Sequence, residues 1–320
     1  FLGYKLYGIV ASFYISIILI CLYFLIVIKK FGFFKKISFK YTSIYKEVIL
    51  FSFPLLLNGV LGFFINKTDT FMIGYFLSGD KVGIYNIALR IGTMSSFVLT
   101  AFNTMFAPMI SSLYHRGEME KLAKMYKVIT KWILGTNLIA FFLILLFSKE
   151  IMHIFGTEFI VGSKALILIS IGQIVNAGVG SAGYINIMTG NPQYEFYNSF
   201  LTVGINITLN YLLIPIYGFE GAAVASLVSI AITNIIKLLL VFKEHRIHPY
   251  NIDYIKMLFV LTVSFIIINV INNYIVFNWL IRLVGLSICF ILLFVLIYYW
   301  LGLSKEDKII YEAILSKFNN

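Results

Sequence analysis

Residues 9–28 hold no Asp, Glu, Lys, Arg or His, and neither do residues 258–270. Apolar runs of about 18 or more residues are long enough, as helices, to cross the hydrocarbon core of a bilayer. This feature governs the rest of the reading. A backbone in lipid must satisfy its own hydrogen bonds, which leaves helices or closed barrels. The runs are continuous rather than alternating, so they read as helices. Only 12% of the residues are charged, against about 25% in an ordinary soluble domain. The fold class expected is therefore an all-α polytopic membrane protein. About nine spans follow from the apolar periods and their stops: residues 7–28, 45–77, 81–115, 118–147, 163–189, 193–214, 221–242, 254–270 and 279–303.

The positive charge alternates between loops. One set holds Lys29 to Lys46, Arg116 to Lys131, Lys243 with Arg246, and Lys305, Lys308 and Lys317; the other holds little more than Lys5, Lys81, Lys149, Lys164 and Arg282. Lys and Arg concentrate in cytoplasmic loops. This predicts a multi-pass protein of the cell membrane with a cytoplasmic C-terminus. The excess of +11 charges then serves topology and contacts with anionic membrane lipids, not nucleic acid. Phe31, Phe33, Phe34, Phe39, Tyr41 and Tyr45 interleave with the lysines of residues 29–46. That mixture marks a membrane–water interface and the expected domain boundary. Because the chain opens on Phe1 and enters a span almost at once, we expect sequence to precede it.

All loops are short, so chemistry must lie within or against the bilayer. Cys21 and Cys289 sit inside apolar runs without ligand spacing and read as small buried hydrophobes. His115, His153, His245 and His248 lie near span ends and suggest no metal site. No cofactor is expected, and an enzyme is disfavoured for want of a large outer loop or an acidic metal motif.

One segment breaks the apolar rule: Asn66-Lys67-Thr68-Asp69, inside the second span. Charges at membrane depth are costly unless they face protein or water. Lys67 and Asp69, two apart on a helix, face different directions. Arg90 lies ten residues into the next span, placed to meet Asp69 across the hairpin. Two readings stand: a structural Asp69–Arg90 ion pair, or a cavity in which Lys67 and Arg90 attract an anionic headgroup. Intramembrane amides, Gln173 and Asn176 among them, suit interhelical hydrogen bonds or a sugar-accommodating cavity. Gly172, Gly178, Gly180 and Gly183 suit close packing or local unwinding. Lys237 is expected to reach for the interface.

Three stretches carry a resemblance. Phe51-Ser52-Phe53-Pro54-Leu55-Leu56-Leu57 opens a long span. Asp69 to Leu77 reads D-x-x-x-I-G-x-x-L, and residues 82–88 read V-G-x-Y-x-x-A. Pro215 to Ala223 reads P-x-x-G-x-x-G-A-A. Together these resemble the polysaccharide-transporter branch of the multidrug/oligosaccharidyl-lipid/polysaccharide (MOP) exporter superfamily, best over residues 45–242. The resemblance implies two six-helix lobes about a central cavity. On that template residues 1–28 are the last helix of an N-lobe, 29–46 a cytoplasmic inter-lobe linker, 47–242 a complete C-lobe of six helices, and 243–320 two added helices with a cytoplasmic tail. The implied function is a flippase moving a polyprenyl-phosphate-linked oligosaccharide by alternating access, with the missing N-lobe as partner in cis. Arg90 and Lys67 would bind phosphate, Gln173 and Asn176 sugar, and Asn66 and Asp69 would belong to the same site, with Asp69 orienting a cation or coupling to an ion. A multidrug/cation antiporter of the same superfamily, or a non-transporting fragment, are the rivals. An antiporter would favour acids over bases in its cavity.

Overall fold

A computed structural model describes residues 5–30, 43–274 and 278–302. The lysines and aromatics between residues 31 and 42, and the tail from residue 303, lie outside them. The described residues form eleven α-helices and one short 3-10 helix. They divide into two compact units, residues 1–52 and 53–320, with the division inside the second helix.

The first unit contains α1 (Lys5–Lys30), whose last turn carries Lys29 and Lys30. Its described side chains from residue 11 onward are exposed or half-buried and mostly apolar, the surface of a helix that meets lipid or another apolar partner. Cys21 is exposed there, as is Cys289 in the second unit. Both are thus surface residues of apolar helices and not packed core.

The second unit runs from the body of α2 (Ser43–Phe76) through α3 (Gly79–Thr93), α4 (Ser96–His115), α5 (Met119–His153), the 3-10 turn Thr157–Gly162, α6 (Ser163–Val179), α7 (Ala182–Met188), α8 (Pro192–Tyr217), α9 (Phe219–His245), α10 (Asp253–Tyr274) and α11 (Trp279–Trp300). Eight described helical segments are long and apolar enough to cross a membrane. The chain is a multi-pass membrane protein. α2 is not among the eight, although its 34 residues would extend about 50 Å.

Two expected single spans are broken. The third divides at Met94-Ser95, where Met94, Phe97 and Val98 donate backbone N–H groups to carbonyls three residues back. The cause is local: the hydroxyls of Thr93 and Ser96 take the carbonyls of Leu89 and Thr93, at 2.7 and 2.6 Å, and such back-bonding competes with the helical ladder. The fifth expected span divides at Gly180, which has φ +61° and ψ −131°, a backbone state open essentially to glycine alone. The Tyr126 hydroxyl donates to the Val179 carbonyl at 2.8 Å and holds the break. A Cβ on Gly180 would lie 2.2 Å from Thr130 Oγ1. Gly180→Ala therefore combines backbone strain with overlap, at about 2–5 kcal/mol in total. Thermal unfolding in detergent should show a large drop in midpoint. Gly178→Ala, whose new Cβ meets only Leu134 Cδ1 at 3.9 Å, should change it little.

Three apolar cores hold the second unit. At one end α2, α3, α6, α8 and α9 bury Ile73, Tyr85, Leu166, Ile169, Ile214 and Ala222. At the other, Phe106, Ile110, Leu122, Tyr126, Ile185 and Val241 close around the α4–α5 and α7–α8 turns. This second end carries Lys121, Lys124, Lys127 and Lys243 and is called the basic end below. Between them Leu134, Leu138, Met257, Leu261 and Phe290 fasten the α10–α11 hairpin onto α5. At Gly221 the α8–α9 turn is so tight that an added Cβ would fall 2.4 Å from the Leu213 carbonyl oxygen. This explains the second glycine of the P-x-x-G-x-x-G-A-A stretch.

Candidate functional site: a basic polar groove and a buried carboxylate

The two breaks shape one groove. The kink between α3 and α4 turns Arg90, Thr93, Ser96, Thr100 and Asn103 onto a common face. The unwound turn at Gly180 sets Asn176 and Tyr184 across from them. With Asn66 and Lys67 from α2, Asn86 from α3 and Gln173 from α6, these line a groove of about 550 Å³. Five of the six residues singled out from the sequence, Asn66, Lys67, Arg90, Gln173 and Asn176, meet there.

Lys67 and Arg90 are both exposed to the groove, and a second recess of about 500 Å³ is also lined by both, with Thr70, Asn86 and Phe155. Among the described residues neither cation has an ion pair or a side-chain hydrogen bond. Gln173 and Asn176 likewise form no side-chain hydrogen bond among the described residues. Asn66 is partly committed, donating to the Gly62 carbonyl at 2.8 Å. Asn103 is buried with its Oδ1 unbonded. The groove thus offers positive charge and amide groups with free hydrogen-bonding capacity.

Asp69 lies elsewhere. The hairpin ion pair with Arg90 does not form. Lys67 and Asp69 do face different directions: the lysine looks into the groove, while the carboxylate is 3% exposed inside the lobe. Its Oδ2 accepts from the Tyr85 hydroxyl at 2.5 Å and from Ser226 Oγ at 2.5 Å. Its Oδ1 accepts from Asn210 Nδ2 at 2.7 Å and Asn206 Nδ2 at 3.0 Å. Arg90 loses the competition because four neutral donors from α3, α8 and α9 already saturate the carboxylate. Tyr85 is the tyrosine of the V-G-x-Y-x-x-A stretch. Asp69 and Tyr85 therefore explain two fixed points of the sequence signature with one contact. No cation is among its hydrogen-bond partners, so four neutral donors hold the buried carboxyl group.

A small cavity of about 90 Å³ lies against Asp69, Asn206 and Ser226, and reaches Asn66, Leu89, Thr93 and Gln173, which also line the groove. The buried carboxylate and the open groove are adjoining compartments with a shared wall.

Two acids, and the partners they take, were missed in the sequence. Glu195, 6% exposed, pairs with Lys237 at 2.8 Å. Lys237, expected to reach for the interface, meets this acid near the basic end of the lobe. Glu150 pairs with Arg282 and ties α5 to α11. Glu195 stands three residues after Pro192, where an acid in the first turn usually marks only a helix start. Nothing local signalled its burial. Among the described residues no group of three or more His, Cys, Asp or Glu side chains could hold a metal.

Comparison with known proteins agrees with this architecture. The profile of the family described as "Polysaccharide biosynthesis protein" matches residues 1–114. Two curated relatives come from Haloferax volcanii. The probable low-salt glycan biosynthesis flippase Agl15 is 30% identical over 206 residues, which is 63% of this chain and 42% of that protein. The probable flippase AglR is 28% identical over 174 residues, 52% of this chain and 36% of that protein. The chain therefore spans less than half the length of either relative. Among solved structures, the lipid II flippase MurJ in an inward closed conformation superposes with a TM-score of 0.61 at 16% identity, over 82% of this chain and 57% of that one. A MOP superfamily transporter from Pyrococcus furiosus gives 0.52 at 15% identity, over 71% and 54%. These two likenesses bear on the fold. The matched profile and the two relatives agree in what the chain is similar to, flippases of glycan and polysaccharide biosynthesis, and the two solved transporters share its helical fold.

Proposed function

We propose that this protein translocates a polyprenyl-phosphate-linked oligosaccharide across the cell membrane. The observation that carries the proposal is the pair of cations, Lys67 and Arg90, without an ion pair among the described residues, in a groove lined by amides and hydroxyls. In this reading the phosphate or pyrophosphate of the lipid carrier binds between them. The arginine fork suits phosphate oxygens in a bidentate manner, and the lysine adds a point charge. Gln173, Asn176 and Asn66 exchange hydrogen bonds with sugar hydroxyls. The polyprenyl chain stays in the bilayer, so only the headgroup must cross.

Alternating access then needs an opposing wall, which we assign to a second lobe. In this assignment α1 is the last helix of that lobe, residues 29–46 are the connector, residues 47–242 are the lobe that carries the groove, and α10–α11 is an added hairpin. The basic end and the C-terminus face the cytoplasm by the distribution of Lys and Arg.

Asp69 supplies the coupling. A proton or a monovalent cation arriving at this carboxylate cancels its charge. Lys67, two residues along the same helix, then presents a less compensated positive field to the groove. Ion and phosphate binding would each strengthen the other, as linkage requires. A drug antiporter is disfavoured because its cationic cargo would meet Lys67 and Arg90.

The test is translocation in proteoliposomes. A fluorescent polyprenyl-pyrophosphate disaccharide in the inner leaflet should become accessible to an external quencher at a protein-dependent rate. Absence of that rate, together with efflux of an organic cation, would overturn the proposal in favour of the antiporter.

A further inference from the structure

Every buried side chain of α8 except Ile214 is polar: Glu195, Asn198, Thr202, Asn206 and Asn210. Their spacing of three or four residues places them on one stripe, about 22 Å long, inside an otherwise apolar lobe. α9 faces this stripe with polar groups of its own. Glu195 Oε2 meets Lys237 Nζ at 2.8 Å and Asn206 Nδ2 meets Ser226 Oγ at 3.2 Å. These contacts stand eleven residues apart on both helices, so the two run antiparallel in constant register. That register sets Asn198 level with Asn234, and Thr202 within one residue of the level of Ser229, with Thr233 between the two levels, all of them buried.

The stripe is under-bonded. Among the described residues, both amide atoms of Asn198 and Glu195 Oε1 are buried without a hydrogen-bond partner, and so is Asn210 Oδ1. The backbone of α7 closes over the same end: a Cβ on Gly183 would lie 3.0 Å from Glu195 Oε1. One turn on, Asn186 is 1% exposed with both its amide atoms unbonded. A buried polar group left dry is destabilising, and such groups find protein or water partners as a rule. The cavity of about 90 Å³ beside Asp69 already extends along the stripe to Thr202 and Ser229, and has room for several waters.

We propose that the α8–α9 stripe is a hydrated file connecting Asp69 to the basic end of the lobe, by which a proton or other small monovalent cation reaches or leaves Asp69 without crossing the substrate groove. The role of Asp69 in this rests on the coupling reading above; the hydration does not. Asp69 stands at the junction, with the groove on one side through the shared wall and the file on the other. For a proton, each hop passes one proton from a hydronium to the next water or amide-bound water and regenerates neutral water behind it, so no other reactant is needed. The Glu195–Lys237 pair closes the basic end with no net charge.

The test uses the full-length protein with Cys21 and Cys289 replaced by serine, and single cysteines added as Asn198→Cys, Thr202→Cys and Ser229→Cys, with Ile214→Cys as the dry control. Ile214 is fully buried on the same helix in the apolar core. A small cationic, membrane-impermeant methanethiosulfonate is applied to membrane vesicles of either orientation. The file predicts that at least two of the three polar-stripe cysteines react at least tenfold faster than Ile214→Cys when the basic end faces the reagent. Rates no faster than the control, or acceleration only from the opposite face, would overturn it. Asp69→Asn should leave the labelling unchanged while removing any ion dependence of glycan binding. Labelling with no ion dependence in the parent would therefore refute the coupling role, and the link to it, while leaving the hydration established.

Discussion

Asp69→Ala should lower the stability of the groove-bearing unit by about 3–6 kcal/mol, enough to prevent accumulation of a protein of ordinary stability. The carboxylate accepts from Tyr85, Ser226, Asn206 and Asn210 at once. Tyr85 and Asn210 have no exposed surface. Removing the acceptor strands buried donors at about 1–3 kcal/mol each. The loss is less than four full penalties, because Asn210 still reaches Asn206 Oδ1 at 3.0 Å and Asn206 still reaches Ser226. Asp69→Asn should behave differently. Its carbonyl can keep the two asparagine donors, while its amide can donate to Tyr85 and Ser226 after their hydroxyls rotate. We expect this variant to fold with a loss of at most about 1–2 kcal/mol and to lose the ion dependence of glycan binding altogether. Thermal unfolding in detergent separates the variants. Equal instability of the two would mean that charge, and not hydrogen-bond acceptance, organises the site.

The same site shows what sequence can and cannot reveal. The membrane class is written in runs without charge, and the interruption at Asn66 to Asp69 stands out against them. The basic groove was legible because a lysine and an arginine at membrane depth are costly wherever they do not meet water or a partner. The partners of Asp69 were not legible. Asn206, Asn210 and Ser226 lie 137 to 157 residues away, and hydrophobic periodicity carries no information about which helix meets which. The nearer guess, Arg90, followed from proximity along the hairpin, and four neutral donors displaced it.

Local unwinding was one of the two readings open at Gly180, but the break between α3 and α4 was missed, for a different reason. Thr93 and Ser96 kink a span through their own backbone carbonyls, and their effect is local enough to be read from the residues. The polar recurrence Thr93, Ser96, Thr100, Asn103 also marks one helical face. Both signals are faint against the apolar mean that defines the span. Glu195 shows the opposite failure. An acid in a first turn looks solvated, and only α7 and Lys237 packing over it make it part of the interior.

The last expectation concerns the groove itself. Lys67→Ala with Arg90→Ala should weaken binding of a phosphate-linked glycolipid by about 100-fold or more. Charge-assisted hydrogen bonds contribute about 1.5–3 kcal/mol each, and about 1.4 kcal/mol corresponds to tenfold in affinity. Stability should hardly change, since both side chains are exposed and unpaired among the described residues. The double variant thus separates function from folding in a way that Asp69→Ala does not. Arg90→Lys should recover part of the affinity, because charge returns without the planar fork. Binding by the parent should weaken as salt is raised from 50 to 500 mM, roughly as screening of exposed charges requires, whereas residual binding by the double variant should be nearly independent of salt. A titration in nanodiscs of defined lipid composition measures all three. Parent-like affinity and salt dependence in the double variant would move the phosphate site away from this groove, and with it the reason for two unpaired cations at membrane depth.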